Sequence, residues 1–425
     1  MVQRVVGFLC ICLVIVSCDF LLNTPFSGYL ANPTDEEPPT LSEMPYFEIS
    51  DPSNWDDLQQ YLNEQVALGV SGPPTLDMIS VPSGVDKWFG GVLAPNGKIY
   101  CVPGAATSVL IIDPQTDTVD TSTIDDIPVG GGPSPDWLGG ILAPNGKIYC
   151  IPWEAENVLI IDPMTNTADT DTISDLGAGN KWHGGVLARN GKIYGIPYDS
   201  DTVLVIDPTT DTSATIPIPD PGPSGPHPDD PSKWYGGVLA SNGKIYCIPW
   251  KADYVMIIDP EAGTVDPDAI PFLAYADLKW TGGVLAINGK IYCIPQEPLR
   301  VLIIDPELNE VELVPHQSPY LPNDEDKWAG GVLGPDGKIY GIPRNYHSVL
   351  VIDPIENSVY PDGISLPPEP PVDPLAEDKW TGGVLAPNGK IYCIPNDADS
   401  VLIIDPHSNG DIFAPIAECP YFNKF

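Results

Sequence analysis

The sequence predicts an all-β fold: a seven-bladed β-propeller of four-stranded blades, preceded by a signal peptide, a disordered tether and one short helix. Three observations carry this. Trp88, Trp137, Trp182, Trp234, Trp280, Trp328 and Trp380 each open a copy of one consensus, K-W-x-G-G-V-L-A-P-N-G-K-I-Y-C-I-P followed by V-L-I-I-D-P. These tryptophans lie 45 to 52 residues apart, which is the length of a propeller blade rather than of a short solenoid repeat. In every copy 25 residues separate the Trp from the Asp of D-P, so all length variation falls later, in the outer strand and the crossover. Units that cannot bury their faces alone must stack into one domain, spanning 73–425.

The elements follow in chain order. Arg4 precedes an apolar run from Val5 to Val16, too short to span a bilayer and of the length of a signal-peptide core. It ends in Ile15-Val16-Ser17-Cys18, which resembles the lipobox of bacterial lipoproteins. That resemblance implies cleavage after residue 17, lipidation of Cys18 and a protein anchored to a membrane rather than spanning it. The alternative is an ordinary secretory signal or an uncleaved anchor in which Cys18 is incidental. Residues 18–52 are acidic and Pro-rich, as in Asp35-Glu36-Glu37-Pro38-Pro39, and bury too little apolar surface to fold alone. Within 53–72, Trp55, Leu58, Leu62 and Val66 recur at helical spacing, and Gly69 can stop the helix.

Inside each repeat, G-G-V-L-A-P reads as a strand. The Asn-Gly or Asp-Gly that follows is a two-residue hairpin signal, so K-I-Y-C-I-P returns antiparallel beside it. V-L-I-I-D-P is the third strand, and segments such as 116–124 supply a ragged fourth. The paired glycines belong where seven innermost strands converge and side chains have least room. Ring closure needs a strand from one chain end; 75–81 and 410–416 both qualify, and the N-terminal one is favoured.

Nine cysteines in an exported chain ordinarily indicate disulfides. Here Cys101, Cys150, Cys247, Cys293 and Cys393 share one repeat position, with Gly195 and Gly341 in the other two blades. Equivalent positions on neighbouring blades lie beyond the ~7 Å Cα limit of a bridge, so these are expected to be buried thiols. The formal charge of −39, from 58 acidic residues against 19 Lys plus Arg, disfavours nucleic acid and anionic membrane surfaces as partners.

The string V-L-A-P-N-G-K-I-Y-C-I-P-x(6)-V-L-I-I-D-P-x-T-x-T resembles the YVTN-type propeller repeat, also seen in NHL and virginiamycin B lyase-like propellers. The resemblance covers all seven copies and departs in the Gly-Gly opening, the K-W lead and the Cys-Ile-Pro segment. It implies the propeller fold. Such families include surface proteins, binding modules and some lyases or lactonases, so it leaves activity open.

Strand order defines a bottom face, with the hairpin and third-to-fourth turns, and a top face, with the crossovers and the six-residue loops after Ile-Pro. At the bottom, seven lysines from Lys98 to Lys390 recur beside seven aspartates from Asp113 to Asp405, as ion pairs or turn caps. At the top, Lys87, Lys181, Lys233, Lys279, Lys327 and Lys379 precede six of the tryptophans, with Asp136 in the seventh place. They either ring the axial mouth, ready for an anion or carboxylated ligand, or pair with carboxylates such as Asp86, Asp326 and Asp378.

After Ile-Pro, blades two to four carry Trp153, Tyr198 and Trp250, whereas the others carry Gly104, Gln296, Arg344 and Asn396. The aromatic arc is flanked by Glu154, Glu156, Asp199, Asp201, Lys251 and Asp253. Rings rimmed by polar groups suit sugars or peptides, although such rings also pack on neighbouring blades without any ligand. Catalytic signals are thin: His183 and His347 are the plausible acid-base candidates, no metal-ligand spacing occurs and no cofactor motif is present. The sequence thus predicts a monomeric envelope or surface lipoprotein, periplasmic or extracellular, whose propeller binds a glycan, peptide or envelope protein on its top face. A lyase or lactonase-type enzyme using that face is the alternative.

Overall fold

The computed structural model describes residues 74–130, 134–220, 231–271, 279–296, 300–315, 326–367 and 377–406. The expected signal peptide, tether and helix lie outside these residues, as do Cys18 and Cys419. Seven antiparallel four-stranded sheets form the domain. The first blade shows the pattern: Trp88–Leu93 innermost, then Ile99–Pro103, Leu110–Asp113 and Thr118–Asp120 outermost. The innermost strands neighbour one another around the axis, the last (Trp380–Leu385) lying against the first.

The ring closes through the N-terminal segment. Thr75–Ser80 is the outer strand of the seventh blade and pairs antiparallel with Ser400–Asp405, from Thr75 opposite Asp405 to Ser80 opposite Ser400. The other candidate, 410–416, is outside the described residues.

The apolar runs are continuous because each inner strand is buried on both faces. Alternate residues of Ile99–Pro103 enter different seams: Tyr100 and Val102 pack with Trp137, Ile148 and Cys150 of the second blade, while Ile99 and Cys101 pack with Val384, Tyr392 and Ile394 of the seventh. Seven clusters of this kind fill the seven seams. Each repeat-position cysteine therefore sits in a seam of its own, fully buried and free, and burial pushes the thiols well above their ordinary pKa.

The paired glycines do two different jobs. The first of each pair lies at positive φ, from +65° at Gly184 to +94° at Gly282, in the bulge that interrupts pairing between the Trp and the second glycine. The second is a contact: a Cβ on Gly283 would stand 2.8 Å from Ile248 Cδ1 of the preceding blade, and one on Gly331 2.7 Å from Ile294 Cδ1. Inner strands thus approach closely enough to bury these isoleucines.

Polar ties repeat as regularly. Each repeat Trp donates its indole N–H to the carbonyl twenty residues on, as Trp88 to Ser108 at 2.8 Å and Trp380 to Ser400 at 2.7 Å. On the bottom face the hairpin Asn and the strand Tyr reach the next blade: Asn242 donates to the Pro306 carbonyl at 3.1 Å, and Tyr246 donates to Asn309 at 2.7 Å. Five of the bottom lysines pair within their blade, as Lys98 with Asp113 at 3.3 Å, but Lys147 and Lys390 cross to Asp211 and Asp117 of a neighbouring blade.

Candidate functional site at the axial mouth

Two sequence columns meet at the top of the axis: the residue after each repeat Trp and the residue after each Ile-Pro. The Trp pairs with the Pro, as Trp88 with Pro103, so the two following side chains emerge together beside the bulge. A Cβ built on Gly104 would lie 2.6 Å from the Phe89 ring, which shows that the columns face each other.

Blades two to four supply an aromatic sector. Trp153 and Tyr198 have ring centroids 4.5 Å apart, Tyr235 stacks on Trp250 at 4.6 Å and 16°, and His183 lies 3.4 Å from Tyr235 and 5.7 Å from Trp153. The predicted arc is therefore contiguous, but it is packed on itself: Trp153 and Trp250 are buried and Tyr198 and Tyr235 half-buried. Tyr235 and His183 bridge the three loop aromatics, and comparison of the column after Trp, where Phe89, His183 and Tyr235 replace smaller residues, is the signal that would have found Tyr235.

Blades five to seven supply a polar sector in the same column. Gln296 and Asn396 are fully buried, and neither end of either amide has a hydrogen-bond partner among the described residues. Between them Arg344 donates from Nε to Asp378 at 2.6 Å, while Nη1 stands 4.0 Å from Asp326. Burial opposes its charge, but Tyr235, Asp378 and Asp326 outweigh burial and raise its pKa. Asp86 and Asp397 complete this side: burial and then Asp397 and Asp378 raise Asp86, while burial and Asp378 raise Asp397 against the opposing hydrogen bond from the Asp86 N–H. Sequence comparison marked these polar residues only as interruptions of the aromatic arc.

The lysines expected to ring this mouth are enclosed instead, none more than 8% exposed. They reach into the loop of the preceding blade: Lys181 donates to the carbonyls of Trp153 and Ala155 at 2.8 and 2.9 Å, Lys279 to Lys251 and Ala252 at 2.9 and 3.3 Å, and Lys327 to Gln296 at 3.2 Å. Lys87 does the same across the closing seam, to Ala398 at 3.0 Å, and Lys233 stands 3.4 Å from the Asp199 carbonyl. Lys379 is fully buried in the same repeat position. A long stem and three donors suit a buried tie between loops, so these ammonium groups face carbonyls rather than the mouth. Asp136, which replaces the lysine, is also buried and accepts the Gly130 N–H at 2.6 Å.

Flanking charges have separate fates. Asp199 accepts the Ser232 N–H at 2.6 Å, Asp253 pairs with Lys279 at 3.2 Å, and Glu156, Asp201 and Lys251 are exposed, with Glu154 half-buried. The two histidines are not brought together by any contact among the described residues. Burial, aided by Arg344, lowers the pKa of His183 to about 3, so it is neutral, and its Nδ1 has no partner among the described residues. His347 lies exposed in its loop, 3.4 Å from Asp362. No group of three or more His, Cys, Asp or Glu among the described residues is placed to hold a metal ion.

The chain matches no family profile and no curated protein. Its fold is similar to solved propellers. A streptogramin B lyase superposes with a TM-score of 0.59 at 12% identity, over 78% of this chain and 97% of that one. Virginiamycin B lyase from Staphylococcus aureus gives 0.60 at 10% identity, over 78% and 99%. The extracellular domain of a hybrid two component system from Bacteroides thetaiotaomicron gives 0.56 at 10% identity, over 81% of this chain and 44% of that one. At such identities the likeness shows the propeller fold.

Proposed function

We propose that this protein is an exported lipoprotein whose propeller serves as a binding module, taking a glycan, peptide or envelope protein at the axial mouth. The observation that carries this is where the seven copies disagree. Trp, both glycines, Tyr and Asp-Pro recur in every blade and hold the ring together, whereas the two columns at the mouth divide into an aromatic half and a hydrogen-bonding half. A ring built for architecture alone needs one residue per column. Folds similar to this one include the extracellular domain of a hybrid two component system as well as lyases, and both kinds of protein are compatible with a top-face site. Neutral His183, packed among aromatic rings with its Nδ1 unpartnered among the described residues, and exposed His347 beside Asp362 lend the enzyme reading no support.

The lipobox-like Ile15-Val16-Ser17-Cys18 supports anchoring. The closing strand begins at its bottom end, with Thr75 opposite Asp405, so the described chain enters the propeller on the bottom face, opposite the mouth. Cell fractionation tests the anchor: Cys18→Ser moves the protein from the membrane to the soluble fraction, and unchanged membrane retention refutes lipidation. Array binding tests the module, and the absence of any retained glycan, peptide or envelope protein counts against it.

A further inference from the structure

We infer that the ligand of the axial mouth is a neutral sugar unit of a glycan, stacked on the aromatic sector and hydrogen-bonded by Gln296, Arg344 and Asn396. This rests on the binding-module reading and specifies its ligand.

Three independent features converge. The first is unmet hydrogen bonding. Both ends of the Gln296 and Asn396 amides are fully buried without partners, and Trp250 Nε1 is likewise unpartnered among the described residues. A buried polar group left unpaired costs ~1–3 kcal/mol, so native proteins give such groups an occupant. Among the described residues, Nε is the one Arg344 donor that makes a hydrogen bond. The column therefore offers donors from three consecutive blades, with two amide oxygens among them.

The second feature is the aromatic wall opposite. Tyr198 and Tyr235 are half-buried against the buried Trp153 and Trp250, with Tyr235 already faced by Trp250 and His183, so this wall is built of aromatic rings, Tyr198 outermost, rather than of aliphatic side chains. The C–H faces of a pyranose fit such rings while its hydroxyls project to the sides.

The third is charge. Asp86, Asp326, Asp378 and Asp397 surround Arg344, and the chain carries −39 overall, which repels an anionic sugar. A cation entering the centre meets the Arg344 guanidinium. Hydroxyl groups both donate and accept, so a neutral sugar satisfies the amides, the guanidinium and the carboxylates without adding charge. A peptide offers the same amide chemistry but lacks the dense ring of hydroxyls that so many converging polar groups require.

The test uses the full chain on an array of neutral glycans, uronate and sialylated glycans, and peptides, with tryptophan fluorescence titration of the hits. Neutral glycans are expected to bind. Gln296→Leu and Asn396→Leu should each weaken that binding at least tenfold without lowering the melting temperature, because each removes an unpaired buried amide. Arg344→Lys should weaken it similarly. Preferential binding of acidic glycans or of peptides, weakened by the same variants, overturns the neutral-sugar assignment and leaves the site in place. Glycan binding unchanged in all three variants overturns the site itself, and no binding to any array overturns both. If the leucine variants instead lose stability together with binding, ordered water holding the amides as structural elements replaces the proposal.

Discussion

Lys279 offers the sharpest test of how the mouth is built. Its side chain is 2% exposed, and its ammonium donates to the Lys251 and Ala252 carbonyls at 2.9 and 3.3 Å. Lys279→Met keeps the stem and removes the donors. Charge-assisted hydrogen bonds contribute about 1.5 to 3 kcal/mol each. Methionine no longer bears the burial cost of an ammonium, which offsets part of the loss. The Asp253 partner is 65% exposed and adds little. The net expectation is a loss of about 2 to 4 kcal/mol. Lys244→Met is the control, since it breaks a 3.8 Å exposed pair with Asp259 worth about 1 kcal/mol or less. Equilibrium urea unfolding of both variants and the parent provides the comparison. If Lys279→Met is no more damaging than Lys244→Met, the buried-tie reasoning is wrong and Lys279 returns to the ligand-binding candidates.

Further outcomes follow from the same geometry. His183 has a folded pKa near 3 against an ordinary 6.5, so its contribution to stability is complete above about 6.5 and is lost as pH falls towards 3. Between pH 7 and 4.5 the parent should lose about 2 to 3 kcal/mol more than His183→Phe, at about 1.4 kcal/mol per pH unit; an equal loss in urea titrations at the two pH values would show that the imidazole is not held neutral. Gly283→Ala places a methyl 2.8 Å from Ile248 Cδ1 and should cost about 1 to 3 kcal/mol by overpacking, read from the shift in urea midpoint. A chain starting at residue 82 lacks the closing strand and leaves Ser400–Asp405 as an open edge. It should associate on size exclusion and lose its single cooperative transition, whereas unfolding identical to the parent would mean that closure lies elsewhere.

Much of the fold was open to inspection in the chain because it depends on local signals repeated seven times. The Asn-Gly turns gave the hairpins, the continuous apolar runs gave strands buried on both faces, and the fixed distance from Trp to Asp-Pro gave the three inner strands of each blade, the fourth following in the variable part. The shared cysteine position likewise excluded bridges, since a repeat position lies in a different seam in every blade. The mouth was only half visible. Trp153, Tyr198 and Trp250 stood out because their column changes type, but Tyr235 belongs to the column after the repeat Trp and joins them only through the bulge. The lysines show the converse limit: a charge beside a conserved repeat Trp gives no sign of whether its ammonium meets solvent or a carbonyl of the blade before.

The number of blades, the strand order within each and the two faces were legible in the chain alone, whereas ring closure was left between two segments. These follow from periodicity and turn chemistry, which act within about 25 residues. The tertiary structure alone decided that the lysine ring is internal, that the aromatic arc is packed on itself, and that Gln296, Arg344 and Asn396 form its polar counterpart. Those relations join residues up to 311 positions apart, and burial, which sets the cost of an unpaired amide or an ammonium, exists only once the seven blades have closed.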